Sequence, residues 1–278
     1  MLDLGEKIVE MLEMAFGLWN SEVNAAISIL KQSPTEFKGG GPWQLVEKVN
    51  PIFVAVGSSL VVLFFVIGFC AESVDVREEM RLEVILRMLI RVGLSEWLVA
   101  NNIVIMKAIF KSVGALVELI GIKEMQPLII AETHKKVIRN LDFGESILFG
   151  AAALLLMLIA VICGFFMLYT VYFRFLRIMV IAPLGALAFS TASGNRNVAH
   201  TALTYGRHVL GVILEAIFMV LAMMVCNAFL NSGLPGFTGD YADWVESLLY
   251  LCEMVFSIAL TVGAVKGSQQ LVSRALGL

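Results

Sequence analysis

Two carboxylates lie within long apolar runs of this sequence, where an ionised group is costly. Glu215 lies in the run from Val209 to Leu230, and Glu253 lies in the run from Ser247 to Val265. A charged side chain at the centre of a bilayer costs about 3 kcal/mol or more unless it faces protein or water. Both side chains are therefore expected to face inward, where each either hydrogen-bonds a neighbouring helix or lines a polar passage.

A second group of candidate residues combines basic side chains, a helix breaker and an amide. Arg174 and Arg177 lie between apolar runs, where they either extend to the membrane interface or contact a lipid phosphate or an acidic partner. Pro183 removes one helix hydrogen bond, and the small residues that follow it favour close helix packing. Asn227 lies in the same run as Glu215 and is a further candidate for channel lining or packing.

Residues that would carry enzyme chemistry do not occur in catalytic patterns. The three histidines stand in neither an HExxH motif nor a Cys/His cluster, and no GxxxxGK[ST] phosphate-binding motif appears. The four cysteines all lie in apolar runs and are expected to be small packing residues: Cys70, Cys163, Cys226 and Cys252. The sequence therefore predicts a protein that is not an enzyme and that uses no metal or cofactor.

The elements that position these residues are set by apolar stretches of membrane length. The longest uncharged stretch runs from Ser146 to Phe173 and has 28 residues, whereas about 20 residues suffice to cross a bilayer core of roughly 30 Å. Only 15% of all residues are charged, against roughly 25% in soluble domains. We therefore predict an all-α, polytopic helical membrane protein.

Hydrophobicity divides the chain into four regions. Residues 1–50 form an amphipathic N-terminal helix and a linker, 51–71 the first transmembrane helix, 72–144 a charged amphipathic helical region, and 145–278 a C-terminal transmembrane bundle. The N-terminal helix has an acidic face, and it either lies on the membrane surface or packs on a neighbouring subunit. Within 72–144, Val76 to Val92 is predicted to be an interfacial helix, and Gly121 and Pro127 mark breaks.

Five transmembrane spans are predicted, with a sixth as the alternative. The five are Ile52–Cys70, which Asn50 and Pro51 begin, Ser146–Tyr172, Ile178–Ala192, Val209–Leu230 and Ser247–Val265. The alternative sixth segment, Val92 to Met106, is short and carries Glu96, Asn101 and Asn102, so it is a span, a re-entrant piece or a buried helix. With the C-terminus in the cytoplasm, both models place 14 of the 20 Lys and Arg residues inside.

The stretch from Arg174 to Ala216 resembles the TrbL-like family. It reads Arg-Phe-Leu-Arg-Ile-Met-Val-Ile-Ala-Pro-Leu-Gly-Ala-Leu-Ala-Phe-Ser-Thr-Ala-Ser-Gly-Asn, and a helix with Tyr205, Leu214 and Glu215 follows. Members of this family are polytopic membrane proteins of conjugative type IV secretion systems, and the layout here is similar to the compact Gram-positive form. The motif is loose, and the positions on which the resemblance rests are Arg174, Arg177, Pro183 and Glu215.

The resemblance implies a non-enzymatic subunit of a conjugation channel in the cytoplasmic membrane. It implies a homo-oligomer assembled with the secretion ATPase and other membrane subunits, through which a relaxase-linked single strand of DNA passes transiently. The residues themselves indicate an oligomerising, non-enzymatic membrane protein, and the DNA substrate comes from the resemblance alone. A small-solute transporter or ion channel subunit is the alternative, and the intramembrane carboxylates Glu215 and Glu253 favour it.

The topology predicts which loop can be labelled from outside the cell. The segment from Asn231 to Glu246 has no Lys or Arg while its flanks do, so it is expected to be external. In Thr238→Cys, an impermeant thiol reagent should label intact cells. Labelling that appears only after the membrane is permeabilised would reverse the topology.

Overall fold

The computed structural model describes residues 4–75, 82–121, 125–231 and 242–277, and every regular element in these ranges is helical. The helices are α1 (Leu4–Lys31), α2 (Gly41–Asp75), α3 (Leu82–Ala100), α4 (Asn102–Ile120), α5 (Glu132–Arg139), α6 (Phe143–Ser190), α7 (Arg196–Asn231) and α8 (Asp243–Ala275). Two short 3-10 helices, Phe37–Gly40 and Thr191–Ser193, precede α2 and follow α6. The all-α prediction is confirmed for this part of the chain.

Four of the described helices are long and apolar enough to cross a membrane, one fewer than predicted. They are the ones that contain Phe37–Cys70, Phe143–Ser193, Val198–Phe229 and Asp243–Ala275. The difference arises in α6, which has 48 residues and continues through Arg174 and Arg177. No glycine or proline stands near these arginines to turn the chain, so the two predicted spans form one helix about 72 Å long.

The predicted start of the first span is also wrong. Asn50 and Pro51 do not begin a helix, because α2 starts at Gly41 and contains Pro51 in its interior. The predicted linker before it contains the 3-10 helix Phe37–Gly40, in which Gly39 and Gly40 have φ values of 71° and 80°. Glycine adopts this left-handed conformation without the steric cost of a Cβ, which explains the turn at this point.

The alternative sixth span is divided into two helices. A turn at Asn101 separates α3 from α4, and neither of these helices is among the four that are long and apolar enough to span. The buried side chain of Asn102 donates a hydrogen bond from Nδ2 to Asn50 Oδ1 at 3.1 Å. This bond connects the first residue of α4, next to the break, to α2. A helix is present from Leu82 onward in the predicted segment Val76 to Val92, and residues 76–81 lie outside the described residues.

Contacts group the chain into two units, each assembled from segments distant in sequence. The first unit comprises residues 1–31, 120–172 and 217–270, and the second comprises 32–119, 173–216 and 271–278. The four regions predicted from the sequence describe hydrophobicity along the chain, whereas the two units describe contacts in the folded protein.

In the first unit, α1 packs along the first half of α6. The Ile8 side chain lies against Gly150, and the Glu22 and Trp19 side chains lie against Gly164. Both contacts are separated by 14 residues on each helix, so the two helices run parallel in register for about 21 Å. The amphipathic N-terminal helix therefore packs on an apolar helix of its own chain. Its predicted acidic face holds for Glu6, Glu10 and Glu13, which are exposed, but not for Glu22, which is buried.

A chain segment of 15 residues, 125–139, runs back along α1 in the opposite direction. Leu128 lies beside Asn20, the Lys135 ammonium contacts the Glu13 carboxylate at 2.7 Å, and the backbone of Ile138 lies against Gly5. The Glu13 and Glu132 carboxylates raise the pKa of Lys135 by accepting hydrogen bonds from it. The predicted break at Pro127 is confirmed, because residues 125–131, called the extended segment below, belong to no regular helix or strand and the helix α5 begins only at Glu132.

Side chains satisfy the backbone of the extended segment. Asn20 bonds Leu128 twice, donating from Nδ2 to the carbonyl at 3.0 Å and accepting from the amide at Oδ1 at 2.9 Å. The Tyr250 hydroxyl on α8 donates to the Ile129 carbonyl and accepts from the Ala131 amide, each at 3.4 Å. Non-helical backbone is tolerated beside membrane helices only where protein or trapped water satisfies it.

In the second unit, α2 packs closely on the second half of α6. A Cβ at Gly57 would lie 2.7 Å from the carbonyl oxygen of Ala186, so glycine permits the approach of the two backbones. Val61, Val99 and Ala186 form a buried cluster at this crossing. The Ser193 hydroxyl donates to the Val61 carbonyl at 2.9 Å and also to the Ser190 carbonyl.

The double bond between Asn20 and Leu128 predicts a stability loss in Asn20→Ala. The substitution leaves one backbone donor and one acceptor of Leu128 without a partner, and each such group costs about 1–3 kcal/mol when buried. We expect the melting temperature in mild detergent to fall, while Ser21→Ala, at the exposed neighbouring position, leaves it unchanged. Equal melting temperatures for the two variants would show that water replaces Asn20 at no cost.

Candidate functional site

The second unit contains a buried cluster of charged side chains between α6 and α7. Arg177 Nη1 lies 3.3 Å from Glu215 Oε2, and the residue Glu215 is only 1% exposed. The Arg177 side chain is more accessible, with 27% of its surface exposed. The carboxylate of this pair is therefore fully desolvated, whereas the guanidinium is partly exposed.

Arg174 completes this cluster from one turn earlier on α6. The residue is 2% exposed, and its Nε and Nη2 atoms donate to the carbonyls of Val212 and Ile213, each at 3.4 Å. Its guanidinium carbon also lies 5.1 Å from the centroid of the Phe175 ring. The remaining Nη1 atom is buried and has no hydrogen-bond partner among the described residues. The bonds that Arg174 makes are long, so this cation is incompletely satisfied.

Helical spacing explains why these side chains meet. Residues three apart share a helix face, so Arg174 and Arg177 both point at α7, where Val212, Ile213 and Glu215 occupy one turn. One carboxylate faces two guanidinium groups, which leaves a net charge of +1 in the cluster. A buried excess of positive charge favours an anionic group of a ligand, lipid or partner protein.

Pro183 lies further along α6 and serves packing. It is buried, and the helix continues through it to Ser190. The Tyr205 hydroxyl on α7 donates to the Ile181 carbonyl at 3.0 Å. A Cβ at Gly185 would lie 2.8 Å from the Tyr205 hydroxyl, so this glycine leaves room for the tyrosine.

The two remaining candidate residues belong to the first unit. Asn227 Oδ1 accepts a hydrogen bond from the Gln126 amide at 3.3 Å, so it satisfies the extended segment 125–131. Glu253 is half-buried on α8, and its backbone carbonyl accepts from the Ser257 hydroxyl at 2.8 Å. The structure therefore brings Arg174, Arg177 and Glu215 together in one cluster, while Asn227 serves a separate polar contact.

Sequence reasoning missed the polar residues that bind the extended segment. Asn20 was part of an amphipathic helix pattern, and Tyr250 was part of an apolar run. An available signal was the combination of Pro127 with an apolar stretch too short to form a span, which requires side-chain partners for its backbone. Among the described residues, no group of His, Cys, Asp and Glu side chains is arranged to hold a metal ion.

Comparison with protein-family models, with curated proteins and with solved structures finds no match to this chain.

The charged cluster predicts a specific order of stability among three variants. Glu215→Leu leaves the buried Arg174 and the partly exposed Arg177 without their carboxylate, and this should cost about 2–3 kcal/mol of unfolding free energy. Arg177→Leu removes the more accessible partner and should cost less. In the double variant the excess positive charge falls, so we expect it to recover about 1 kcal/mol relative to Glu215→Leu.

Unfolding of the four proteins by a denaturing detergent, followed by tryptophan fluorescence, measures these differences. Strict additivity of the two single substitutions would show that the 3.3 Å contact between Arg177 and Glu215 carries no coupling energy.

Proposed function

We propose that this protein is a non-enzymatic, multi-pass membrane subunit of a type IV secretion channel that helps to pass a protein-linked DNA strand across the cytoplasmic membrane. The observation that carries the proposal is the buried cluster of Arg174, Arg177 and Glu215. These are three of the four positions on which the resemblance to the TrbL-like family rests. The fourth, Pro183, lies in the part of α6 that packs against Tyr205.

The cluster supports a role in an assembled machine because it is costly for a membrane helix pair to retain. Two arginines and one glutamate between α6 and α7 are harder to bury than apolar residues of similar volume. An ion pair of this kind is often neutral or unfavourable for stability alone, so its presence favours a role in partner choice or in a polar passage. The incompletely satisfied Arg174 guanidinium supports the same conclusion.

Four long apolar helices support a cell membrane location, and the surfaces of α2, α6, α7 and α8 carry many exposed large apolar side chains. The proposal keeps the C-terminus in the cytoplasm, as the charge distribution of the five-span sequence prediction has it. A homo-oligomer, together with the secretion ATPase and further membrane subunits, would cover part of the apolar surface and position the relaxase-linked strand. These partners belong to the proposal.

A small-solute transporter or ion channel subunit is the second candidate, and one observation favours it. The extended segment 125–131 lies beside α1, α7 and α8, with polar contacts from Asn20, Asn227 and Tyr250. Interrupted helices with exposed backbone groups commonly form ion and substrate sites in transporters. Neighbouring genes for a conjugative ATPase and a relaxase would favour the secretion channel, whereas neighbouring metabolic genes would favour the transporter.

Glu215→Gln tests the role of the cluster in the assembled machine. Glutamine keeps the size and hydrogen-bonding capacity of glutamate but removes the charge, so we expect normal insertion and accumulation. Transfer of DNA to a recipient should nonetheless drop by at least about ten-fold, equivalent to roughly 1.4 kcal/mol in the limiting step. A mating assay beside a membrane immunoblot measures both quantities.

The exposed residue Glu10 on α1 supplies the matched control, because Glu10→Gln makes the same chemical change outside the cluster. Normal transfer by both variants at normal protein level would count against a functional role for the Glu215 charge. In that case Glu215→Leu should lower the protein level, since the side chain then serves only helix packing worth about 0.6–2 kcal/mol.

A further inference from the structure

Glu22 is the one acidic side chain of α1 that faces the interior of the first unit. The residue is 7% exposed, whereas Glu6, Glu10 and Glu13 on the same helix are exposed. Its Oε2 atom is buried and has no hydrogen-bond partner among the described residues. A buried polar atom without a partner requires a physical explanation, and for a carboxylate protonation is one.

The carboxyl group lies against the middle of an apolar helix. Gly164 on α6 faces it so closely that a Cβ at this position would overlap the carboxylate, and only glycine leaves the space. Gly164 lies within the uncharged stretch 146–173, 18 residues after its start and nine before its end. Because α1 and α6 run parallel, Glu22 is held level with the interior of this stretch, nine residues or about 13 Å from its nearer end.

No cation is positioned to neutralise Glu22 from its own helix or from α6. Along α1 the nearest charged residues are Glu13 and Lys31, each nine residues or about 13 Å away. Along α6 the nearest are Glu145 and Arg174, and the latter lies ten residues or about 15 Å beyond Gly164. The titratable thiol of Cys163 is adjacent to Gly164 but carries no positive charge.

Among the described residues, the other segments that pack on α1 and α6 also place no cation against Glu22. Residues 125–131 and the α7 segment 217–231 contain no charged residue. The charged residues in the middle of α8 are Glu253 and Lys266, and the Lys266 ammonium lies 4.8 Å from the centroid of the Phe166 ring. Phe166 is two residues from Gly164, so it projects from a different side of α6 than the one that Glu22 contacts.

We propose that Glu22 is a proton-binding site in the membrane-embedded interior, and that the bound proton holds α1 against α6. Desolvation disfavours the ionised carboxylate, so the packed state binds the proton and release of the proton loosens this helix pair. Gly164 supplies the space for the neutral carboxyl group. The inference rests on the first unit alone and does not depend on the conjugation function or on Glu215.

A carbodiimide pair reports the state of this carboxyl group in the full-length protein in lipid nanodiscs. A protonated carboxyl adds across the C=N bond of dicyclohexylcarbodiimide, and the adduct rearranges to a stable N-acylurea with no atom lost. This reagent is apolar and reaches buried acids. A water-soluble carbodiimide with glycine methyl ester instead labels acids that water reaches, and mass spectrometry of peptides identifies each modified residue.

We expect dicyclohexylcarbodiimide to modify Glu22 at pH 6. The yield of this adduct should fall at least about ten-fold at a pH well above the pKa of this carboxyl group. The water-soluble pair should modify the exposed Glu10 and leave Glu22 untouched. Replacement of choline by sodium at constant pH should not change the yield. Glu22→Gln should lose the apolar adduct, and Glu10→Gln should keep it.

Three results would overturn the proposal. Absence of the apolar adduct at every pH from 5 to 9 means that Glu22 is not a neutral acid, and modification by the water-soluble pair to the level of Glu10 means that it is exposed. Protection by sodium means that the site takes a metal cation instead of a proton.

A second measurement tests the packing of α1 without any reagent. If the folded protein retains the proton to a higher pH than the unfolded chain does, the free energy of unfolding is greatest below the pKa of Glu22 in the unfolded chain. It then falls as the pH rises through the pKa of Glu22 in the folded protein. The melting temperature of the wild type should therefore fall relative to Glu22→Gln between pH 5 and pH 9. Parallel curves for the two proteins, with the Glu10→Gln control matching both, would show that this proton does not hold α1.

Discussion

Polar groups that leave water must find partners inside the protein, and this constraint shapes both units of the chain. An apolar helix satisfies its own backbone, so the long apolar segments need only lipid or another helix beside them. The exceptions are the places where the backbone is extended or a side chain is charged. In the first unit the backbone of residues 125–131 depends on Asn20 and Tyr250, and in the second unit Glu215 depends on Arg177.

Amide and hydroxyl side chains suit the extended segment because each offers both a donor and an acceptor. The Asn20 side chain accepts a hydrogen bond from the amide of Leu128 and donates one to its carbonyl, as the backbone of a paired strand would. Tyr250 does the same for Ile129 and Ala131 through one hydroxyl. The segment is therefore held without a second extended strand, and its position is fixed by two helices that are far from it in sequence.

Glu215 and Glu22 are both buried, but the free-energy cost of burying each carboxyl group is offset in a different way. Glu215 lies 3.3 Å from Arg177, and the neighbouring Arg174 adds a further positive charge that helix carbonyls only partly satisfy. Glu22 has no ion-pair partner in the part of the chain that the structure describes, so neutralisation by a proton is the simplest way to bury it. The α6–α7 cluster is therefore expected to respond to the charge of a group that binds there. Glu22 is expected to respond to pH.

Sequence alone determined that the chain is helical and that it contains apolar segments of membrane length, because length and apolarity are local properties of each segment. It also predicted that Pro127 interrupts a helix. Only the tertiary structure decided that α6 continues unbroken through Arg174 and Arg177 and that Glu22 is buried while Glu10 is exposed. Glu22 follows Ile8 by 14 residues and Ala15 by seven, so the helical phase placed it on the apolar side, but its burial also required Gly164 to lie opposite. Pairings of this kind join residues more than 100 positions apart, and no local pattern specifies which partner a polar group will meet.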